Sequence, residues 1–185
     1  MIKNGRGWNI EYDYSNSRKI FEGEYINGER NGKGKEYDSY GELRFEGEYL
    51  NGERNGKGKE YDFGGELKFE GEYLNGKRNG KGKEYYDDGR LIYEGEYYNN
   101  WLLKGKLYIK GKLQYEGEFL FHKKWNGKGY DEFGNIIYEL HNGNGYVIEY
   151  DDDGILDYEG EYLNGKRNGK EIEYDSYHSN LIFGE

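Results

Sequence analysis

Hydrophobic and polar positions alternate in short runs along the chain, and the runs recur. In Leu67-Lys68-Phe69-Glu70-Gly71-Glu72-Tyr73, residues Leu67, Phe69, Gly71 and Tyr73 fall on one side of an extended strand, and Lys68, Glu70 and Glu72 on the other. Such period-2 alternation predicts a half-buried strand. The same parity gives Leu43/Phe45/Gly47/Tyr49, Leu91/Tyr93/Gly95/Tyr97, Leu113/Tyr115/Gly117/Phe119 and Leu156/Tyr158/Gly160/Tyr162. Asn75-Gly76-Lys77-Arg78-Asn79-Gly80 follows, dense in residues that accept positive φ, and predicts a hairpin loop. A second strand, typified by Gly56-Lys57-Gly58-Lys59-Glu60-Tyr61, has two candidate faces. Its divergent copies carry Trp8/Ile10/Tyr12, Tyr146/Ile148/Tyr150 and Ile172/Tyr174 at the parity of Lys57/Lys59/Tyr61. That parity assigns Tyr37, Tyr61, Tyr85, Tyr150 and Tyr174 to the apolar side, with lysine stems covering it in the regular copies.

The pattern is a repeat. An aromatic residue opens each unit at Phe21, Phe45, Phe69, Tyr93, Tyr115, Tyr138, Tyr158 and Phe183, at intervals of 24, 24, 24, 22, 23, 20 and 25 residues. Residues 1–20 and 183–185 read as partial units, so the chain is expected to be one array of about seven repeats with no second domain. A lone hairpin is marginal in water, so the units must stack. Two strands per unit at ~4.8 Å lengthen the stack by roughly 10 Å per repeat. The expected fold is all-β: an elongated, single-layer rod of antiparallel hairpins, in which glycines at matched positions let aromatic rings lie over bare backbone.

Composition sharpens this picture. The 185 residues include 32 Gly, 23 Tyr, 8 Phe and 3 Trp, with no Pro and no Cys. Absent proline suits a continuous sheet. Absent cysteine excludes disulfides, thiolate metal sites and a cysteine nucleophile. Charged residues make up 35%, a level that with few aliphatics suggests disorder, but the aromatic side chains supply a core instead. The formal net charge of −10 repels nucleic acid and disfavours an anionic bilayer as primary partners. Residues 1–6 lack the apolar core of a signal peptide and no run approaches the ~20 apolar residues of a membrane helix, so a cytoplasmic setting is expected.

Candidate chemistry is sparse. The carboxylate pairs Glu46/Glu48, Glu70/Glu72, Glu94/Glu96, Glu116/Glu118 and Glu159/Glu161 recur on the polar strand face, a solvated stripe rather than an acid–base dyad of differing environments. Asp151-Asp152-Asp153-Gly154 lacks the spacing of a calcium loop and reads as a turn, like Asp87-Asp88-Gly89. His122, His141 and His178 share no metal-ligand spacing, and Gly-Lys-Gly at 32–34, 56–58 and 80–82 lacks the rest of a phosphate cradle. No catalytic, cofactor or metal residue is indicated, and no enzyme is expected. Two surfaces stand out. Where the repeat drifts, Trp101 and Trp125 fall in or beside what should be a polar loop, with His122, Lys123 and Lys124 nearby: a candidate partner-binding site. The alternative is that these tryptophans cap a shortened, re-twisted stretch. The second surface is a row of basic loop residues, Arg30, Lys33, Arg54, Lys57, Arg78, Lys81, Arg167 and Lys170, a candidate for anionic surfaces.

At Tyr/Phe-Glu-Gly-Glu-Tyr, Asn-Gly-Lys-Arg-Asn-Gly-Lys-Gly and the closing Asp-Gly turn, the chain resembles MORN-repeat proteins over nearly its whole length. Glu36, Glu60 and Glu84 stand where the common repeat has an aromatic, which leans the resemblance towards the variant repeat of antitoxin-like proteins. The resemblance implies a stack of hairpins used for scaffolding, for linking membranes to cytoskeleton, or beside catalytic domains. The expected function is therefore a non-catalytic scaffold binding a protein partner or itself, end to end or side by side. Phosphoinositide binding through the basic row and antitoxin-like regulation of a partner enzyme are the alternatives.

Overall fold

The computed structural model describes residues 5–15, 17–174 and 181–183, with side chains to residue 168. Every regular element among them is a strand. In chain order these are β1 (Arg6–Tyr12), β2 (Lys19–Ile26), β3 (Glu29–Tyr37), β4 (Leu43–Leu50), β5 (Glu53–Tyr61), β6 (Leu67–Leu74), β7 (Lys77–Tyr85) and β8 (Leu91–Tyr98). They are followed by β9 (Trp101–Ile109), β10 (Lys112–Leu120), β11 (Lys123–Tyr130), β12 (Ile136–Leu140), β13 (Gly145–Tyr150), β14 (Leu156–Leu163), β15 (Lys166–Tyr174) and β16 (Leu181–Phe183). Strand order follows chain order, β1 to β12 in one sheet and β13 to β16 in another. The chain divides into two compact units, the first of residues 1–89 with 98–100, the second of residues 90–97 with 101–185. No helix among the described residues is long and apolar enough to cross a membrane.

In the first unit, antiparallel pairing is regular from β1 to β7. Gly47 lies opposite both Gly34 and Gly58, and Glu60 opposite both Phe45 and Phe69. The core is a zigzag of rings. Phe21, Phe45 and Phe69 are fully buried, and Tyr25, Tyr49 and Tyr73 nearly so. Successive rings meet edge to face: Phe21 lies 5.1 Å from Tyr49, Tyr49 5.7 Å from Phe45, and Phe45 5.2 Å from Tyr73. Such contacts add about 0.5–1.5 kcal/mol beyond the area they bury. Glycine is required beneath them, since a Cβ on Gly47 would lie 2.7 Å from the Gly58 Cα and from the Phe45 ring.

This register corrects the expected face of the second strand. Gly58 and Glu60, not Lys57, Lys59 and Tyr61, share the core side. The space above Gly58 belongs to Phe45, and the opposite side pairs Lys35 with Glu46 and Lys59 with Glu70. Tyr37, Tyr61 and Tyr85 join that polar side, each donating its hydroxyl to a glutamate, Glu22, Glu46 and Glu70 respectively. Tyr150 is half-buried, and the side chain of Tyr174 lies outside those described.

The expected six-residue loop is also shorter than predicted. Only Asn75-Gly76 turns, with φ of 49° and 76°, the signature of a type I′ hairpin. Lys77 already begins β7, and Asn79-Gly80 lies in a bulge within it. There Gly80 takes φ 98°, and the Glu72 carboxylate accepts the Lys81 N–H at 2.9 Å.

The second unit carries the same ring zigzag through Tyr97, Tyr93, Phe119 and Tyr115. Its first three repeats are shorter for identifiable reasons. Lys110-Gly111, with φ of 49° and 76°, replaces the Asp-x-x-Gly turn between β9 and β10. In β11 the bulge has lost a residue, so that Glu118 faces Asn126 and Phe119 faces Lys124. In the 20-residue repeat, Leu140 and Val147 stand where the regular repeats have a glycine pair, and both are fully buried. Among the described residues, β12 and β13 are joined by the isolated bridge between His141 and Asn144.

Candidate interaction site

The basic row lies in strands, not loops, and three of its arginines face inward. Arg30, Arg54 and Arg78 place their guanidinium groups 3.9, 3.9 and 4.1 Å from the centres of the Phe21, Phe45 and Phe69 rings. Each also bonds carboxylates on the same face: Arg30 with Glu11, Arg54 with Glu36 and Glu60, Arg78 with Glu60 and Glu84. Tyr49 and Tyr73 complete the network by donating to Glu36 and Glu60, each at 2.8 Å. Burial alone would raise Glu60, but hydrogen bonds from Arg78 and Tyr73 with the neighbouring guanidinium charges outweigh it and hold its carboxyl below the ordinary value. Arg167 repeats the arrangement with Tyr158, Glu149 and Asp157. Lys33, Lys57 and Lys81 are exposed on the polar face, and the side chain of Lys170 lies outside those described. Three of the eight residues of the proposed anionic-surface row, Arg30, Arg54 and Arg78, are therefore turned to the core, while Arg167 keeps its ion pairs at an exposed position.

The tryptophan stretch divides in a similar way. Trp125 is half-buried; its carbonyl accepts the Gly143 N–H at 2.8 Å, and a Cβ on Gly143 would meet its ring at 2.6 Å. Lys124 is drawn inside, its Nζ 2.9 Å from Glu149 and 3.2 Å from the Tyr138 hydroxyl. Leu107 and Gly129 occupy the positions that carry Glu60 and Glu84 in regular repeats, so Lys124 reaches forward to Glu149 instead. Burial raises Glu149, but Lys124, Tyr162 and Arg167 together hold it below its ordinary value. Trp125 and Lys124 thus hold the structure together where β12 and β13 part.

Trp101 and His122 come together at the surface. Trp101 is 43% exposed, its ring 4.6 Å from the His122 imidazole and 5.4 Å from Phe121, which is 64% exposed. Leu103 and Leu120 are exposed on the same two hairpins, and Lys123 is exposed beside the turn. Phe121 did not stand out as a candidate, yet a signal was present. Phe121-His122 fills the two central turn positions that Asn-Gly fills at 51–52, 75–76 and 164–165. The chain holds Phe121 at φ 50° and His122 at φ 63°. A bulky residue in the left-handed region costs on the order of 1–3 kcal/mol.

Asp151-Asp152-Asp153-Gly154 is a turn, as expected. The Asp151 carboxylate accepts the Asp153 and Ile155 N–H groups at 2.9 and 2.8 Å, as Asp38, Asp62 and Asp131 do in theirs. Among the described residues no group of His, Asp and Glu is placed to hold a metal ion. His178 lies outside them.

Stacked type I′ hairpins with glycine beneath aromatic rings define a class of β-hairpin repeat protein. The model of the MORN repeat matches residues 21–40, 45–65, 69–89 and 158–170, and the chain is a MORN-repeat protein. That family is generally non-catalytic. A search of curated proteins finds no match. The matches leave out residues 90–157, the stretch that holds Trp101, Phe121, His122 and the break between β12 and β13.

Proposed function

We propose that this protein is a non-catalytic scaffold that binds a protein partner through the Trp101–Phe121–His122 surface. One observation carries the reading: exposed Phe121, its ring packed on Trp101, is held in the left-handed region beside His122, at turn positions where 51–52, 75–76 and 164–165 use Asn-Gly. Strain maintained beside exposed rings is the mark of a position kept for contact rather than for stability. The inward arginines argue against the membrane reading, because they have no free charge to offer a headgroup. Affinity capture from the native host, comparing wild type with Phe121→Asn/His122→Gly, tests the proposal. Loss of the captured partner supports it, and undiminished capture overturns it.

A further inference from the structure

We infer that Asn27 is a site of spontaneous deamidation, singled out from the other Asn-Gly turns by its backbone surroundings. Turns at Asn27-Gly28, Asn51-Gly52, Asn75-Gly76, Asn142-Gly143 and Asn164-Gly165 share one local sequence and the same positive φ at both residues. In four of them the glycine N–H is held by a carbonyl of the preceding repeat. Gly52 donates to Arg30 and Gly76 to Arg54, each at 2.9 Å; Gly143 donates to Trp125 and Gly165 to Gly143, each at 2.8 Å. At the first turn that role passes to the Asn27 N–H, which donates to the Gly5 carbonyl at 2.9 Å. The Gly28 N–H has no protein acceptor among the described residues. The Gly5 N–H in turn donates to the Asn27 side-chain carbonyl oxygen at 3.1 Å.

This geometry suits the chemistry on both sides. Deamidation begins when the backbone nitrogen after asparagine attacks the side-chain carbonyl carbon. A glycine nitrogen already donating to a carbonyl must first give up that bond, and Gly28 need not. Negative charge then develops on the Asn27 amide oxygen, where the Gly5 N–H stabilises it as an oxyanion-hole donor does. As the Gly28 N–Cγ bond forms, the nitrogen's proton passes to water. The bond from Cγ to the side-chain nitrogen breaks, and that nitrogen leaves as ammonia with a proton from water. Water then opens the cyclic imide at either carbonyl, giving aspartate or isoaspartate. The net change consumes one water and releases one ammonia, with no oxidant or reductant. Isoaspartate inserts an extra backbone carbon into the turn and disturbs the two bonds that tie Gly5 to Asn27, loosening β1 from β2.

Peptide mapping of the full-length native protein after prolonged incubation at mildly alkaline pH tests the inference, with fragmentation that separates aspartate from isoaspartate. Asn27 is expected to convert roughly fivefold faster than Asn51, Asn75, Asn142 and Asn164, the factor that one net backbone hydrogen bond corresponds to. In denaturant the five rates are expected to converge, because the local Asn-Gly sequence is the same. Native conversion of Asn27 no faster than at the other four turns overturns the inference, and so does a lead that persists in denaturant.

Discussion

Arg54 shows how one side chain can serve several partners. Its guanidinium lies over Phe45 and reaches Glu36 and Glu60. Lys57, three residues on, is exposed on the other face. The two therefore diverge on truncation. Arg54→Ala is expected to cost about 2–3 kcal/mol, since it strands half-buried carboxylates, and Lys57→Ala to stay within about 0.5 kcal/mol. Urea denaturation of the two variants measures both; equal losses would contradict the inward placement. The same residues explain what could be read from the chain. Phe69 and Tyr73 announce their face by alternation, and the structure agrees. Gly58 carries no side chain to announce its own, and Arg54 and Glu60 look polar although they line the core. Trp8, Ile10 and Tyr12 then pointed to the opposite parity, yet in β1 they are exposed, at 58, 38 and 55%.

Hairpins and bulges share a vocabulary, which is why element boundaries were harder to read than element type. Asn75-Gly76 and Asn79-Gly80 are the same dipeptide, but only the first turns the chain; the second carries a bulge filled by Glu72. The candidate site was legible only in part for a related reason. Its stretch stood out by departing from the repeat, yet sequence cannot tell Trp101, which remains at the surface, from Trp125, which packs on Gly143. Trp101 is the first residue after its turn, whereas Trp125 is the extra residue of the β11 bulge. The break between β12 and β13 is where the ladder is weakest. Leu140 and Val147 replace the glycine pair, and packing with the Lys124–Glu149 ion pair takes over from backbone hydrogen bonds. Amide exchange is expected to be at least several-fold faster in β13 than in β5, whose register pairs run along both sides. Equal protection in the two strands would contradict this account of the break.

At the scale of the molecule, the matched carboxylates and tyrosines set the pH range of stability. Glu60 and Glu149 titrate below the ordinary 4.5 in the folded chain, so their contribution is present above 4.5 and lost as pH falls through their lowered values. Burial and the Glu46 carboxylate push Tyr61 from 10.0 up to about 12, so its contribution is present below 10.0 and lost between there and about 12. Unfolding free energy by denaturant titration is expected to be level across neutral pH and to fall on both sides. Stability that rose on acidification below 4.5 would contradict the carboxylate network.

The repeat supplies a regular frame, and residues 90–157 depart from it at the expense of local strain. If that departure serves binding, the regular turn should make a more stable molecule that has lost its partner. The measurement is the unfolding free energy of Phe121→Asn/His122→Gly beside its capture of the wild-type partner. The account predicts a gain of about 1–2 kcal/mol, chiefly from relieving Phe121 in the left-handed region, together with loss of capture. A variant no more stable than wild type that still retains its partner would contradict it.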